Sequence, residues 1–85
     1  MTAVLTLMGK PGCHLCEAMR GVVEPVARER GLRLDERDIT ADRELDALYR
    51  YDIPVLLLEG REVARYRVTA EELRDRLKAL APAGG

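Results

Sequence analysis

Cys13 and Cys16 are the only cysteines of the chain, and His14, its only histidine, stands between them. Side chains able to act as nucleophile, metal ligand or base therefore crowd into a single short stretch. Two thiols at this spacing serve three chemistries. They can cycle between dithiol and disulfide, clamp a metal ion, or close a small covalent staple. The staple is weakest on magnitude. Closing so short a loop removes about 2 kcal/mol of unfolded-chain freedom, against about 4.7 kcal/mol for a hundred-residue loop. A zinc site needs about four ligands. The stretch offers Cys13, Cys16 and at most His14, so a dimer would have to complete the shell.

Redox exchange needs a stabilised thiolate, because the thiolate is the nucleophile. Cys13 follows the loop Gly9-Lys10-Pro11-Gly12 and precedes a helical pattern. The first turn of a helix leaves N–H groups unpaired and carries about half a positive charge. The amides of Leu15 and Cys16 are the natural donors to the Cys13 sulfur. Lys10 and His14, when protonated, add positive charge nearby. Cys16 lies about one helical turn on, within reach of the Cα separation of about 5.5 Å that a disulfide prefers. Its place in the first turn predicts less exposure than Cys13. On this reading Cys13 attacks a substrate disulfide and Cys16 resolves the mixed disulfide. The alternative is a metal-binding protein that uses the same Cys13 and Cys16 thiolates.

The elements that must position this pair follow from hydrophobic spacing. Residues 3–8 are apolar and read as a buried strand, and 9–12 as a loop. Leu15, Met19, Val22, Val23 and Val26 form a helical stripe that Gly31 ends, with a kink expected between residues 21 and 25 because of Pro25. Residues 32–39 turn strongly charged, which suits an edge strand. Thr40 or Asp42 can cap a short helix that buries Leu45, Leu48 and Tyr49. A buried strand follows at residues 55–58, a turn at 59–62 and a further strand at 63–68. Thr69 and Glu72 read as a capping box, opening a helix that buries Leu73, Leu77 and Leu80. Tyr51 is expected beneath the site, Tyr66 in the fourth strand, and Arg65 and Arg67 as edge-strand charges. The order β-α-β-α-β-β-α predicts an α/β fold. A right-handed parallel β-α-β unit and a closing antiparallel hairpin give a four-stranded mixed sheet with helices on both faces. The domain covers residues 1–80, and 81–85 form a flexible tail.

The whole chain bounds the function. Its 85 residues make one domain. Hydrophobic content of 47% and charged content of 34% fit a soluble globular protein. A net charge of −1, with no basic patch, excludes a nucleic-acid partner. No apolar run approaches the roughly 20 residues that span a membrane. The N-terminus lacks the basic region and cleavage site of a signal peptide. A cytoplasmic monomer is expected, and a cytosolic disulfide is more often transient than structural.

Cys13-His14-Leu15-Cys16 at a loop-to-helix junction, Ile53-Pro54 before the third strand, and the element order resemble the thioredoxin superfamily. The short length resembles its glutaredoxin branch, and more narrowly the small bacterial glutaredoxin-like proteins. The resemblance covers residues 3–80. It implies a thioredoxin/glutaredoxin-like fold and thiol–disulfide oxidoreductase activity. It implies that Pro54 is a cis-proline packed beside the active disulfide and that the backbone of Ile53 pairs with substrate. Lys10 matches the lysine that glutaredoxins use near the glycine carboxylate of glutathione. The partners implied are protein or low-molecular-weight disulfides. The implied reductant is glutathione or a system of the thioredoxin-reductase type. No prosthetic group is implied, and glutathione is a co-substrate that the resemblance allows. The chain departs from the glutaredoxin pattern at His14-Leu15, where Pro-Tyr is usual. It departs again at Asp52-Ile53-Pro54, where Thr-Val-Pro is usual. Ala64-Arg65-Tyr66-Arg67 stands where a glycine pair and an aspartate bind glutathione.

Overall fold

Leu5 and Leu7 are buried on one side of the first strand, Val4–Gly9 (β1), and Met8 is buried on the other. A strand covered on both sides cannot afford alternating polar residues, which is why this segment is apolar nearly throughout. The computed structural model describes residues 2–80. The tail expected at 81–85 lies outside the described residues, so the domain boundary drawn there is not observed.

The remaining elements are α1 (His14–Glu29), β2 (Arg33–Asp38), α2 (Arg43–Tyr49), β3 (Val55–Leu58), β4 (Arg61–Arg65) and α3 (Ala70–Leu80), with a 3₁₀ turn at Ile39–Ala41 before α2. The sheet order is β2-β1-β3-β4. Strand β1 runs parallel to β2, from Val4 opposite Arg33 to Gly9 opposite Asp38. It runs antiparallel to β3, and β3 to β4. The apolar strands are central. The charged β2 is an edge, where its side chains discourage pairing with another chain.

Two apolar clusters cover the two faces. Leu5, Leu7, Leu56 and Leu58 pack with Met19, Val23 and Val26 of α1 and with Leu73 and Leu77 of α3. Met8 and Val55 pack with Ile39, and Leu45 and Tyr49 of α2 close over them. Alternation along β1 and β3 thus feeds two cores, with helices on both faces.

Several local expectations are corrected. The buried stripe of α1 runs through Cys16, Met19, Val23, Val26 and Ala27, while Leu15 is exposed. Leu15 keeps helical spacing with Met19 and Val23, but the buried face is centred toward Cys16, Val23 and Ala27, which leaves Leu15 at its margin. Helix α1 is uninterrupted across residues 21–25, and Pro25 sits on its exposed side, where water can satisfy the carbonyl that loses its partner. Asp42 caps α2, accepting from the amides of Glu44 at 2.9 Å and Leu45 at 3.2 Å. Thr40 instead lies in the 3₁₀ turn, which Asp38 caps. Leu48 is 66% exposed, because a helix this short turns only Leu45 and Tyr49 toward the sheet.

Strand β4 begins at Arg61 and ends at Arg65, earlier than expected. Glu59 and Gly60 both take positive φ, 47° and 82°, and so reverse the chain in two residues. The register slips between Leu56 opposite Ala64 and Leu57 opposite Glu62. The irregularity at Val63 lets neighbouring Val63 and Ala64 both face the core. The capping box forms as read. The Glu72 amide donates to Thr69 Oγ1 at 3.1 Å, and the Thr69 amide to Glu72 Oε1 at 3.0 Å. Leu73 and Leu77 are buried, and Leu80 is partly so.

Candidate active site

The site is built where β1 hands over to α1. Gly9 ends the strand against the helix. A Cβ placed on it would lie 3.1 Å from Cys16 Sγ and 3.2 Å from Cys16 Cβ. A side chain here would press on the second cysteine, which would have to shift by a few tenths of an ångström. Gly12 then turns the chain at φ 78°, a conformation costly for any residue with a side chain. Cys13 follows in extended geometry as the N-cap of α1.

A residue at this cap can accept from the second or third amide of the helix. Cys13 Sγ accepts from the Cys16 amide at 3.2 Å. Of the two donors expected, Cys16 is the one used; the Leu15 amide is not a partner among the described residues. Glu17 donates its amide to the Cys13 carbonyl at 3.1 Å. The two cysteines are joined as a disulfide with Cα atoms 5.2 Å apart. Cys13 is half-buried and Cys16 is 8% exposed. One sulfur faces outward at the positive end of a helix, and the other sits behind it among Met8, Ile39, Ile53 and Val55.

Ile53 belongs to that same cluster, and Cys13 lies at its margin. The Ile53–Pro54 peptide bond is cis, and Pro54 is fully buried. The fold therefore gathers Cys13, Cys16 and the Ile53-Pro54 segment. His14 is exposed at the first position of α1. Lys10 is exposed and lines a cleft on the Cys16 side, together with Gly9, Glu17 and Arg20.

Three residues escaped sequence reasoning. Gly9 read as a loop residue, though a glycine ending a buried strand just before the cysteine pair is a usable signal of close helix approach. Tyr66 and Arg65 hold the segment that carries Pro54. Tyr66 donates its amide to the Pro54 carbonyl at 2.8 Å. Its hydroxyl lies 3.0 Å from Asp52 Oδ1 and 3.2 Å from the Tyr51 carbonyl. Arg65 reaches the same Asp52 oxygen at 3.2 Å. The hydrogen bond to Asp52 is the main reason the Tyr66 phenol titrates above its usual range; burial and the Asp52 charge push the same way. Tyr66 stands just past β4 at φ 67°, in left-handed backbone. Tyr51, expected beneath the site, is 83% exposed, and only its carbonyl is engaged, accepting from the Tyr66 hydroxyl. An apolar groove of about 480 Å³ runs beside Leu15, Met19, Val22, Tyr66 and Val68.

The family model described as Glutaredoxin-like domain (DUF836) matches residues 4–78. The chain belongs to the glutaredoxin-like family. Among solved structures, this glutaredoxin-like chain is similar to protein XcR50 from X. campestris at 35% identity. That match covers 92% of this chain and 99% of the other, with a TM-score of 0.72. It is similar to protein Ne2328 from Nitrosomonas europaea at 26% identity, covering 88% and 91% of the two chains with a TM-score of 0.73. Thioredoxin 1 from Thermosipho africanus shares the fold at 15% identity, covering 89% and 91% with a TM-score of 0.66. Family, thioredoxin-like fold and the Cys13–Cys16 pair together fit a redox function. Among the described residues of this glutaredoxin-like protein, no group of three His, Cys, Asp or Glu side chains is placed to hold a metal ion. No helix among them is long and apolar enough to cross a membrane.

Proposed function

We propose that this glutaredoxin-like protein is a thiol–disulfide oxidoreductase that reduces protein or low-molecular-weight disulfides in the cytoplasm, as a monomer. The observation that carries the reading is the unequal pair. Cys13 is half-buried and capped by a helix amide, whereas Cys16 is buried directly behind it. A helix N-terminus favours the thiolate of Cys13. That thiolate attacks one sulfur of the substrate disulfide, and the other sulfur leaves as a thiolate. Cys16 then attacks Cys13 Sγ, the Cys13–Cys16 bond forms, and the second substrate sulfur is released. Two electrons pass from the dithiol to the substrate.

Ile53 offers its backbone to an extended substrate beside Cys13, with Pro54 fixing the segment. Lys10 contributes positive charge around the loop, and His14 stands exposed beside Cys13, where substrate would approach. Glutathione or a reductase-type donor returns the pair to the dithiol. The decisive experiment equilibrates the pair in glutathione buffers, with thiol trapping, beside Cys16→Ser. A reversible two-electron transition between about −270 and −120 mV is expected. Cys16→Ser should accumulate mixed disulfides at Cys13, and Cys13→Ser should form none. A pair that never oxidises, or oxidises only after metal is stripped, refutes the reading.

A further inference from the structure

We propose that the cleft behind Cys16 is the proton route of the resolving step, with Glu17 as the proton acceptor. This deepens the oxidoreductase reading above and rests on it. Resolution requires Cys16 as a thiolate, yet its apolar surroundings of Met8, Ile39, Ile53 and Val55 favour the neutral thiol. The proton must leave. Among the described residues no polar or charged side chain is buried, so the interior holds no acceptor.

The exit opens on the Cys16 side of the pair. A cleft of about 360 Å³ is lined by Cys16 but not by Cys13. At about 30 Å³ per water, it holds several waters. Gly9 also lines it, and the missing side chain is what leaves the face of Cys16 Sγ uncovered. The charged groups facing this space are Lys10 from the loop, Glu17 and Arg20 from α1, and Glu36, Arg37 and Asp38 from β2.

Of the three carboxylates, two are occupied. Glu36 pairs with Arg20 at 3.3 Å. Asp38 accepts from the Thr40 amide at 2.9 Å and from its hydroxyl at 2.6 Å. Glu17 makes no ion pair or side-chain hydrogen bond among the described residues, and it follows Cys16 directly on the first turn of α1. In the mixed disulfide the Cys16 proton passes through cleft water to the Glu17 carboxylate. The Cys16 thiolate attacks Cys13 Sγ, and the bond from Cys13 to the substrate sulfur breaks. The substrate thiolate takes a proton from solvent, and Glu17 returns its own to solvent.

The test follows one turnover of the reduced protein with a model peptide disulfide. Rapid acid quench and mass spectrometry read the rise and decay of the mixed disulfide. In Glu17→Gln the rise should be unchanged. The decay should slow by about tenfold or more near neutral pH. The difference should vanish at alkaline pH, where hydroxide takes the proton, and Glu17→Asp should recover most of the rate. An unchanged or faster decay in Glu17→Gln overturns the proposal. Charge alone predicts the faster decay, because loss of a neighbouring negative charge favours the Cys16 thiolate. If neither wild type nor Cys16→Ser ever forms a mixed disulfide, the oxidoreductase reading fails and takes this proposal with it.

Discussion

Replacing Gly9 with alanine should separate the stabilities of the oxidised and reduced protein. The added Cβ would meet Cys16 Sγ at 3.1 Å, so the sulfur must give by a few tenths of an ångström. Overpacking of this kind costs about 1–3 kcal/mol. Gly9 is not in left-handed backbone, so alanine is conformationally allowed there. It returns about 0.4–1 kcal/mol by restricting the unfolded chain. The two ranges leave a net loss of about 0–2.6 kcal/mol for the oxidised form, centred on about 1 kcal/mol. In a domain of this size a loss of about 1 kcal/mol lowers Tm by about 4–8 °C. In the reduced form Cys16 is no longer tethered to Cys13 and can rotate from the clash, so its loss should be smaller. A difference of about 1 kcal/mol between the forms raises the reduction potential by about 20 mV. The direction follows because the variant strains the disulfide state and so favours reduction. Thermal melts of both forms and glutathione-buffer equilibration read the two quantities independently. Equal losses in the two forms, or an unmoved potential, would refute the close contact between Gly9 and Cys16 as the cause.

Leu73→Ala empties a fully buried position between α3 and the sheet. It should cost about 2–5 kcal/mol in urea unfolding, and a loss below about 1 kcal/mol would contradict the packing described. Asp52→Asn removes the main group that raises the Tyr66 phenol. Its titration, followed by NMR of the ring, should move down toward the ordinary tyrosine range. A raised phenol favours the neutral ring in the fold. Its contribution is therefore present below the unfolded value and lost as pH climbs through the folded one, so wild type should lose more stability across that alkaline window than Asp52→Asn. An unshifted midpoint would deny the contact.

Local chemistry was legible where neighbours in the chain suffice. The Cys13–Cys16 pair at a helix start, the capping box of Thr69 and Glu72, and the charged edge strand each follow from residues close in sequence, as does the order of strands and helices. The apolar runs of β1 and β3 and the helical spacing in α3 sufficed to assign a core, because a strand buried on both faces is apolar throughout and a packed helix carries an apolar stripe. Contacts between distant segments were not legible. Nothing local to Tyr66 announces that its hydroxyl reaches Asp52 or that its amide reaches Pro54. Leu48 and Tyr51 look as fit for burial as Leu45 and Tyr49, and only the position of the sheet selects among them. Gly9 looks like any loop glycine until α1 is laid against it. Sequence alone therefore determined which reactive pair the chain carries and the elements that frame it, since both depend on residue type and period. The tertiary structure decided what holds the Pro54 segment and where the cleft behind Cys16 opens, since these are set by how close separate segments approach.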